Sequence, residues 1–400
     1  MGPTPSRGGL LPLIFAVTLT GILGNTLIAP AVPNILDHFG VSDAGAGVLI
    51  AATSLPGVFL APIIGLLADR HGRRRVLVPC LACYGSFGLM AAAAPSFELL
   101  VVARFGMGIG AAGLINLAIV LIGDHWEGGD RTRLIGRNAV VLTIGLAVLP
   151  PLGGVLTELV SWRLALLPYG VGLVTAVAAH RLLDPTPPHD APTFREQLGG
   201  IASLFRQPQL PIIFAGGMLS FVLIFGIFLA ALPLHLEDEF GYAAGLRGVF
   251  LGLPALPSML VAFNLERIRS RIAAKSVLVG GAGLLAVGFT LMGAGTFALL
   301  VVAGCVFHGL GEGGLIPTMQ DLSVTLAPTG QRGAVVALFV SATRLGQTIG
   351  PLGAAAVLDA RGSFAALHLG AAIAVGMAMM FALTPSRSPR PAIAVDPADR

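Results

Sequence analysis

The feature that most constrains this chain is a series of long apolar runs that carry almost no charge. Each run is about twenty residues long, the length that an α-helix needs to cross a hydrocarbon layer of roughly 30 Å. Only 11% of the 400 residues are Asp, Glu, Lys or Arg, against about 25% in a soluble globular protein. The chain is therefore predicted to be an all-α polytopic membrane protein with twelve transmembrane helices. The runs cover approximately residues 9–32, 45–68, 76–94, 97–123, 134–157, 164–183, 210–233, 243–265, 276–295, 297–319, 333–357 and 364–384.

The basic residues are distributed unevenly between the two ends of these spans. Arg163, Arg247 and Arg361 fall on one side, nineteen basic residues fall on the other, and Arg104 and Arg344 lie inside spans. Because Lys and Arg accumulate in cytoplasmic loops, the side with nineteen is predicted to be cytoplasmic, and both termini with it. The predicted location is a bacterial cytoplasmic membrane. The net charge of +4 reflects the loops and does not indicate a nucleic-acid partner.

The chain also repeats itself at an offset of 201 residues. Gly47 then meets Gly248, Pro150 meets Pro351, and Gly108-Ile109-Gly110 meets Gly309-Leu310-Gly311. A common offset across several helix pairs predicts two pseudo-symmetric six-helix bundles, a design that places the substrate site between the halves near the midplane. The predicted parts are the first bundle at 1–182, a cytoplasmic linker at 183–209, the second bundle at 210–384 and a cytoplasmic tail at 385–400.

The stretch GLLADRHGRRR, residues 65–75, concentrates charge between the second and third spans. Gly65 is expected to let helices approach closely, and Gly72 to supply a backbone conformation that a side chain would hinder. The arginines are suited to lipid headgroups and would hold the orientation of the chain. The stretch is therefore either a topology anchor or, through Asp69, part of a conformational gate. Its candidate gate residues are Gly65, Asp69, Arg70, Gly72, Arg73 and Arg74.

Three signatures together resemble the major facilitator superfamily and, within it, the twelve-span drug:proton antiporters. The first is the loop just described, and the second is RFGMGIGAAG, which begins at Arg104. The third is GLAVLPPLGG in span 5, where Leu149 replaces one signature glycine. The chain departs from related antiporters in span 1, which offers Asn25 in place of an acid. The helix-packing residues of spans 5 and 11 are Gly145, Pro150, Gly153, Gly154, Gly346, Gly350 and Pro351.

The resemblance implies transport by alternating access, powered by a proton gradient without a cofactor or metal, in a monomer. It also implies that Asp69 faces the cytoplasmic start of span 11 and latches the halves together when the protein faces outward. It gives Arg104 a part in proton coupling, whereas the residue alone also allows a structural bond to helix carbonyls.

Glu312 is the acid that lies deepest inside a span, with His308 one helical turn before it. A buried carboxyl can exchange protons near neutral pH, so Glu312 and its neighbour His308 are proton-coupling candidates. Arg344, at a similar depth in span 11, and Arg104, through the resemblance, complete the set. A static Glu312–Arg344 pair is the alternative. The substrate-cavity candidates are Asn25, Asn116, Phe221, Phe225 and Gln347.

The sequence favours a transporter over an enzyme, because no nucleophile–base pair or metal cluster is found among its intramembrane polar residues. The expected function is proton-coupled efflux of a small amphipathic or drug-like molecule. The alternative is a proton-coupled uptake symporter or a dedicated metabolite exporter of the same fold. The expected partners are a small-molecule substrate, protons and membrane lipid.

Overall fold

The computed structural model describes residues 7–184, 207, 209–294, 297–328 and 331–384. Eleven helical stretches in these residues are long and apolar enough to cross a membrane. The last of them, Arg332–Leu383, is broken at Gly362, where φ is 75° and ψ is −178°. This break divides the stretch into two helices, so the prediction of twelve spans is confirmed for the described part of the chain.

The helices follow the predicted runs closely. They are α1 (Gly9–Phe39), α2 (Ala44–His71), α3 (Arg73–Ala92), α4 (Phe97–His125), α5 (Gly128–Leu159), α6 (Trp162–Leu182), α7 (Gln209–Phe240), α8 (Ala244–Phe263), α9 (Ala274–Gly293), α10 (Ala298–Thr325), α11 (332–361) and α12 (363–383). Most of the predicted linker at 183–209 and all of the predicted tail at 385–400 lie outside the described residues. The predicted domain boundaries stay predictions.

The 201-residue repeat reappears in the contacts between the two halves. A methyl group in place of the hydrogen of Gly47 on α2 would lie 2.1 Å from the carbonyl oxygen of Pro351 on α11. At the equivalent positions, a methyl group on Gly248 of α8 would lie 2.4 Å from the carbonyl oxygen of Pro150 on α5. The interfaces α2–α11 and α8–α5 are therefore built in the same way, with glycine against a proline carbonyl. Within the halves, Gly108 approaches the oxygen of Thr53 as Gly309 approaches that of Pro254.

The two ends of the bundle differ in charge and in how tightly the halves meet. We call the end with Asp37, Asp43 and Glu237–Glu239 the acidic end, and the end with Arg70 and Arg73–Arg75 the basic end. At the acidic end, Arg247 of the second half bonds Asn34 of the first, and the amide of Gly245 donates to Glu158 Oε2 at 3.0 Å. Residues of the second half, such as Leu234 and Leu358, join the apolar core of the first half there.

Among the described residues, the hydrogen bonds that join the halves lie at the acidic end, and none joins them at the basic end. A methyl group on Gly65 of α2 or on Gly136 of α5 would meet no atom within 4 Å. No close helix contact is therefore made at Gly65 in this conformation, and its place in a gate stays a prediction. The structure is closed at the acidic end.

Candidate functional site

The candidate site is centred on two side chains of α10, one helical turn apart. His308 is 1% exposed, and its Nε2 lies 3.7 Å from Oε2 of Glu312, whose side chain is 23% exposed. The imidazole ring stacks on Phe228 of α7 with centroids 4.6 Å apart, and the edge of Phe289 of α9 meets it at 5.1 Å. Neither ring nitrogen of His308 has a hydrogen-bond partner among the described residues. The predicted juxtaposition of His308 and Glu312 is confirmed, and the site holds an acid beside an enclosed imidazole.

The helix that supplies Phe228 contains an irregularity that the sequence did not reveal. Residues Leu223–Ala231 of α7 form a π-helix of nine residues. Such segments are rare and occur frequently at functional sites. The spacing of Phe221, Phe225 and Phe228 predicts one stripe, but the structure divides them. Phe221 and Phe225 stack on each other with centroids 5.9 Å apart and stay half-buried, while Phe228 is buried against His308.

Arg344 of α11 lies at the interface between the halves and not in an ion pair with Glu312. Its Nη1 donates to Oε1 of Gln347 at 3.0 Å. Its side chain packs over Gly57 of α2, where an added methyl group would lie 3.3 Å from the arginine Cδ. Among the described acids, none lies within 4 Å of this guanidinium. The static Glu312–Arg344 pair is therefore absent from this conformation.

The repeat indicates that Arg344 and Glu312 lie at the same depth. Gly57, which Arg344 touches, is equivalent to Ser258 at the offset of 201 residues. A methyl group on Gly313, the neighbour of Glu312, would lie 2.3 Å from the carbonyl oxygen of Ser258. Both charged groups thus lie beside equivalent positions of α2 and α8. They share one level of the bundle.

Arg104 fastens three helices of the first half through neutral acceptors. Its Nε donates to the oxygen of Leu49 at 2.8 Å, its Nη1 to the oxygen of Gly24 at 2.9 Å, and its Nη2 to Oδ1 of Asn25. Tyr169 donates a further bond to the oxygen of Gly24 at 2.9 Å. These contacts are those of the structural alternative, and the role in proton coupling stays a prediction.

The two asparagines of the predicted cavity do not share a site. The amide nitrogen of Asn25 lies 3.4 Å from the hydroxyl of Ser54, and the residue belongs to the Arg104 network. Asn116 is exposed on α4 and bonds to neither Arg104 nor Glu312. Gln347, by contrast, contacts Arg344 directly.

The loop between α2 and α3 is built as a charged corner. Gly72 has φ 91° and ψ 146°, which explains the glycine. Arg73 pairs with Asp69 and, through Nε at 2.9 Å, with Asp124 of α4. Arg74 contacts His180 of α6 at 3.1 Å. Arg70 is exposed. Asp69 pairs inside its own half here, and its role as a latch against α11 stays a prediction.

The glycines of spans 5 and 11 lie where helices nearly touch. A methyl group on Gly153 would lie 1.9 Å from the oxygen of Leu27, and one on Gly154 would lie 2.1 Å from the oxygen of Ala244 in the other half. A methyl group on Gly145 would lie 2.4 Å from the side chain of Ile22 on α1. The matching contacts of α11 join Gly346 to Met218 and Gly350 to Val222 on α7.

Arg247 lies between the two halves, a position that its place near the end of a predicted span did not indicate. The side chain is 1% exposed, with Nη1 2.8 Å from Oε1 of Glu237 on α7. Its Nη2 donates to Oδ1 of Asn34, which belongs to α1 in the first half. The signal was an arginine ten residues after Glu237, on the side of the chain that carries the acidic run 237–239 and few basic residues. Arg247 ties three helices together at the closed end.

Asp43, in the turn between α1 and α2, is one of the acids of this end whose pKa is raised. Burial raises the pKa of its carboxyl above the ordinary value, and the nearby carboxylates of Asp359 and Asp37 raise it further. Asp359 belongs to the second half, so the repulsion acts between the halves.

Two helical bundles that meet around intramembrane charge, and that are closed at one end, define a polytopic membrane transporter. The sequence profile of the Major Facilitator Superfamily matches residues 14–273 and 215–399. The chain belongs to this superfamily, and it is a transporter and not an enzyme.

Known proteins with similar sequences are exporters and resistance proteins. The chain is 25% identical to the Bacillibactin exporter of Bacillus subtilis (strain 168), over 84% of this chain and 86% of that protein. It is 26% identical to the class C Tetracycline resistance protein of Escherichia coli, over 90% and 91%. A crystal structure of a bacterial homologue of the human lysosomal transporter Spinster covers 96% of this chain and 97% of its own, with a TM-score of 0.79 and 18% identity. That structural likeness shows the fold.

Proposed function

We propose that this transporter exports a small amphipathic or drug-like molecule in exchange for protons, with Glu312 as the coupling acid. The observation that carries the proposal is the Glu312–His308 pair, an acid with no cationic partner except an enclosed imidazole 3.7 Å away. An ionisable group inside a membrane span is costly and generally serves transport. The similarity to an exporter and to a resistance protein favours export over uptake.

The positive-inside bias supports an orientation with the basic end in the bacterial cytoplasm. The described conformation would then face inward, ready to receive substrate from the cytoplasm. A proton that enters down a potential of about 100 mV releases about 2.3 kcal/mol. This free energy supports a roughly fifty-fold gradient of a neutral substrate.

The test is proton flux in everted membrane vesicles that contain the full chain. Amphipathic cations, neutral drugs, organic acids and zwitterions are added to the wild type and to Glu312→Gln. We expect substrate-evoked proton release from the wild type and none from the variant. The matched control is Glu266→Gln, the same substitution at an exposed acid of the basic end, which should behave as the wild type.

Two results would count against the proposal. If no compound evokes flux in the wild type, the export of drug-like molecules is wrong and a narrow metabolite carrier becomes the better description. If Glu312→Gln retains coupled flux, Glu312 is not the coupling acid.

A further inference from the structure

Arg104 and Arg247 are buried and Arg344 is half-buried, and these three arginines use their donors differently. Arg104 spends Nε, Nη1 and Nη2 on acceptors of its own half. Arg247 is held by Glu237 and Asn34. Arg344 makes a single bond, to Gln347, although a guanidinium carries five N–H groups. The Nε of Arg247 is enclosed without a hydrogen-bond partner, whereas Arg344 makes the fewest bonds of the three and its unpaired nitrogens are not enclosed.

The unused donors of Arg344 reach accessible space. The side chain is half-buried, and its nitrogens are not among the enclosed polar atoms without a partner, unlike the ring nitrogens of His308. It lies over Gly57 of the opposite half, so the accessible space adjoins the boundary between the halves. A cation at this depth is costly unless an anion or water meets it. An anion that enters this space would meet the unpaired N–H groups of Arg344.

Gln347 extends the same surface. The residue is 8% exposed, and its Oε1 accepts the bond from Arg344. This bond orients the amide so that Nε2, which bonds no described residue, remains available as a donor. A fixed guanidinium and an amide N–H one helical turn apart match the oxygens of a carboxylate or sulfonate.

We propose that Arg344 and Gln347 form an anion subsite, and that the exported molecule carries an acidic group. Glu312 lies at the same depth without a cation other than His308, so it takes the basic group of the same molecule. The substrate class is therefore amphoteric, with one acidic and one basic group on an apolar frame. This inference rests on the proposed function and names its substrate class.

The charges explain how such a substrate exchanges with a proton. The basic group of the molecule and the proton compete for the Glu312 carboxylate, so binding of one releases the other. The acidic group of the molecule stays bound to Arg344 and takes no part in this proton exchange. The zwitterion brings no net charge, so exchange of the proton for the substrate lowers the charge of the cavity by the one proton that leaves.

The experiment uses a matched fluorescent set on one frame in vesicles of the full chain. The probes are Nε-dansyl-lysine, which is zwitterionic, its methyl ester, which lacks the acid, and its Nα-acetyl derivative, which lacks the base. We expect the wild type to transport the zwitterion with the lowest KM. Arg344→Gln should raise that KM by about tenfold to a hundredfold, the loss of a charge-assisted hydrogen bond. The KM of the methyl ester should change little.

Further variants separate a binding role from a folding defect. Arg344→Lys keeps the charge and should recover part of the loss. Gly57→Ala adds a methyl group 3.3 Å from the Cδ of Arg344, so it shifts the guanidinium without removing it, and should weaken zwitterion transport selectively. Arg361→Gln removes a charge from an exposed arginine and serves as the matched control.

The outcomes distinguish this inference from the function on which it rests. If the amphipathic cations, the neutral drugs and the methyl ester evoke flux but no acid-bearing compound does, export stands and the anion subsite is wrong. The subsite is equally wrong if Arg344→Gln weakens ester and zwitterion alike, which is the signature of a structural arginine. If no compound of either set evokes flux, the proposed function fails first.

Discussion

At the scale of single residues, Arg104 illustrates why a buried charge need not be a coupling group. Its three bonds go to two backbone carbonyls and one amide, so removing the side chain leaves those acceptors unsatisfied inside the membrane. We expect Arg104→Gln to lower the free energy of unfolding by about 2–4 kcal/mol, since each stranded acceptor costs about 1–3 kcal/mol. The measurement is thermal unfolding of purified protein in detergent. An unchanged unfolding midpoint together with lost proton coupling would show that Arg104 serves proton coupling and does not hold the helices together.

His308 permits the opposite experiment, because its ring is packed as an aromatic group. Phenylalanine at this position would keep the stacking on Phe228 and Phe289 and would remove two ring nitrogens that have no partner. Burying an unsatisfied polar group is costly, so His308→Phe should preserve or raise thermal stability. Because the imidazole lies beside Glu312, substrate-evoked proton flux should fall several-fold. Normal proton flux in a stable His308→Phe variant would show that His308 serves helix packing alone.

The contacts of some residues could be predicted from the sequence and those of others could not, depending on whether the partner lies on the same helix. The pairing of His308 with Glu312 followed from helical spacing alone, since both residues belong to one uninterrupted helix. The partners of Arg104 and Arg344 come from other helices, at separations that no local pattern encodes. A sequence signals that an intramembrane arginine needs a partner but does not specify which helix supplies it.

At the scale of helices, Gly154 tests whether small residues set the distance between the halves. A methyl group there would lie 2.1 Å from the carbonyl oxygen of Ala244, a backbone atom that cannot move aside alone. We expect Gly154→Ala to open the acidic end and to slow transport several-fold. Gly376→Ala on α12 is the matched control, because a methyl group there meets nothing within 4 Å. Equal transport by the two variants would show that the contact at Gly154 is dispensable.

Helix boundaries and helix irregularities differ in how far the sequence determines them. The spans were predictable because a long run without charge is stable in a bilayer as a transmembrane helix. The π-helix at Leu223–Ala231 lies inside such a run, where every residue is apolar or glycine and hydropathy carries no information about hydrogen-bond register. The break at Gly362 was placed within the short gap between the last two predicted runs.

At the scale of the whole molecule, the closed acidic end depends on Arg247. Its bonds to Glu237 and Asn34 join the halves, so Arg247→Gln should shift the population toward the conformation open at that end. The measurement is the distance between spin labels at Leu159 and Phe297, exposed residues at the acidic end, one in each half. We expect a longer mean distance in the variant. An unchanged distribution would mean that apolar contacts alone hold this end closed.

The repeat predicted the paired interfaces of the molecule, but not which end is closed. Glycine against proline carbonyl occurs at Gly47–Pro351 and again at Gly248–Pro150, as the offset of 201 residues requires. A transporter visits conformations closed at either end, and one sequence encodes both. Their balance depends on small differences between contacts such as those of Arg247 and Asp69, which composition and spacing do not resolve.

The acidic end should also respond to pH through Asp43. In the closed conformation burial raises the pKa of this carboxyl, and Asp359 and Asp37 raise it further, so this conformation should bind protons more readily than one in which the acidic end is open to water. Proton binding therefore favours closure as the pH on that face falls toward the raised pKa, and the effect disappears at higher pH, where Asp43 is ionised in both conformations. The distance between labels at the acidic end should shorten on acidification. Asp43→Asn removes the titrating group, so it should favour closure at every pH and flatten this response. If the variant retains the full pH dependence, the remaining acids of this end, and not Asp43, sense the external proton.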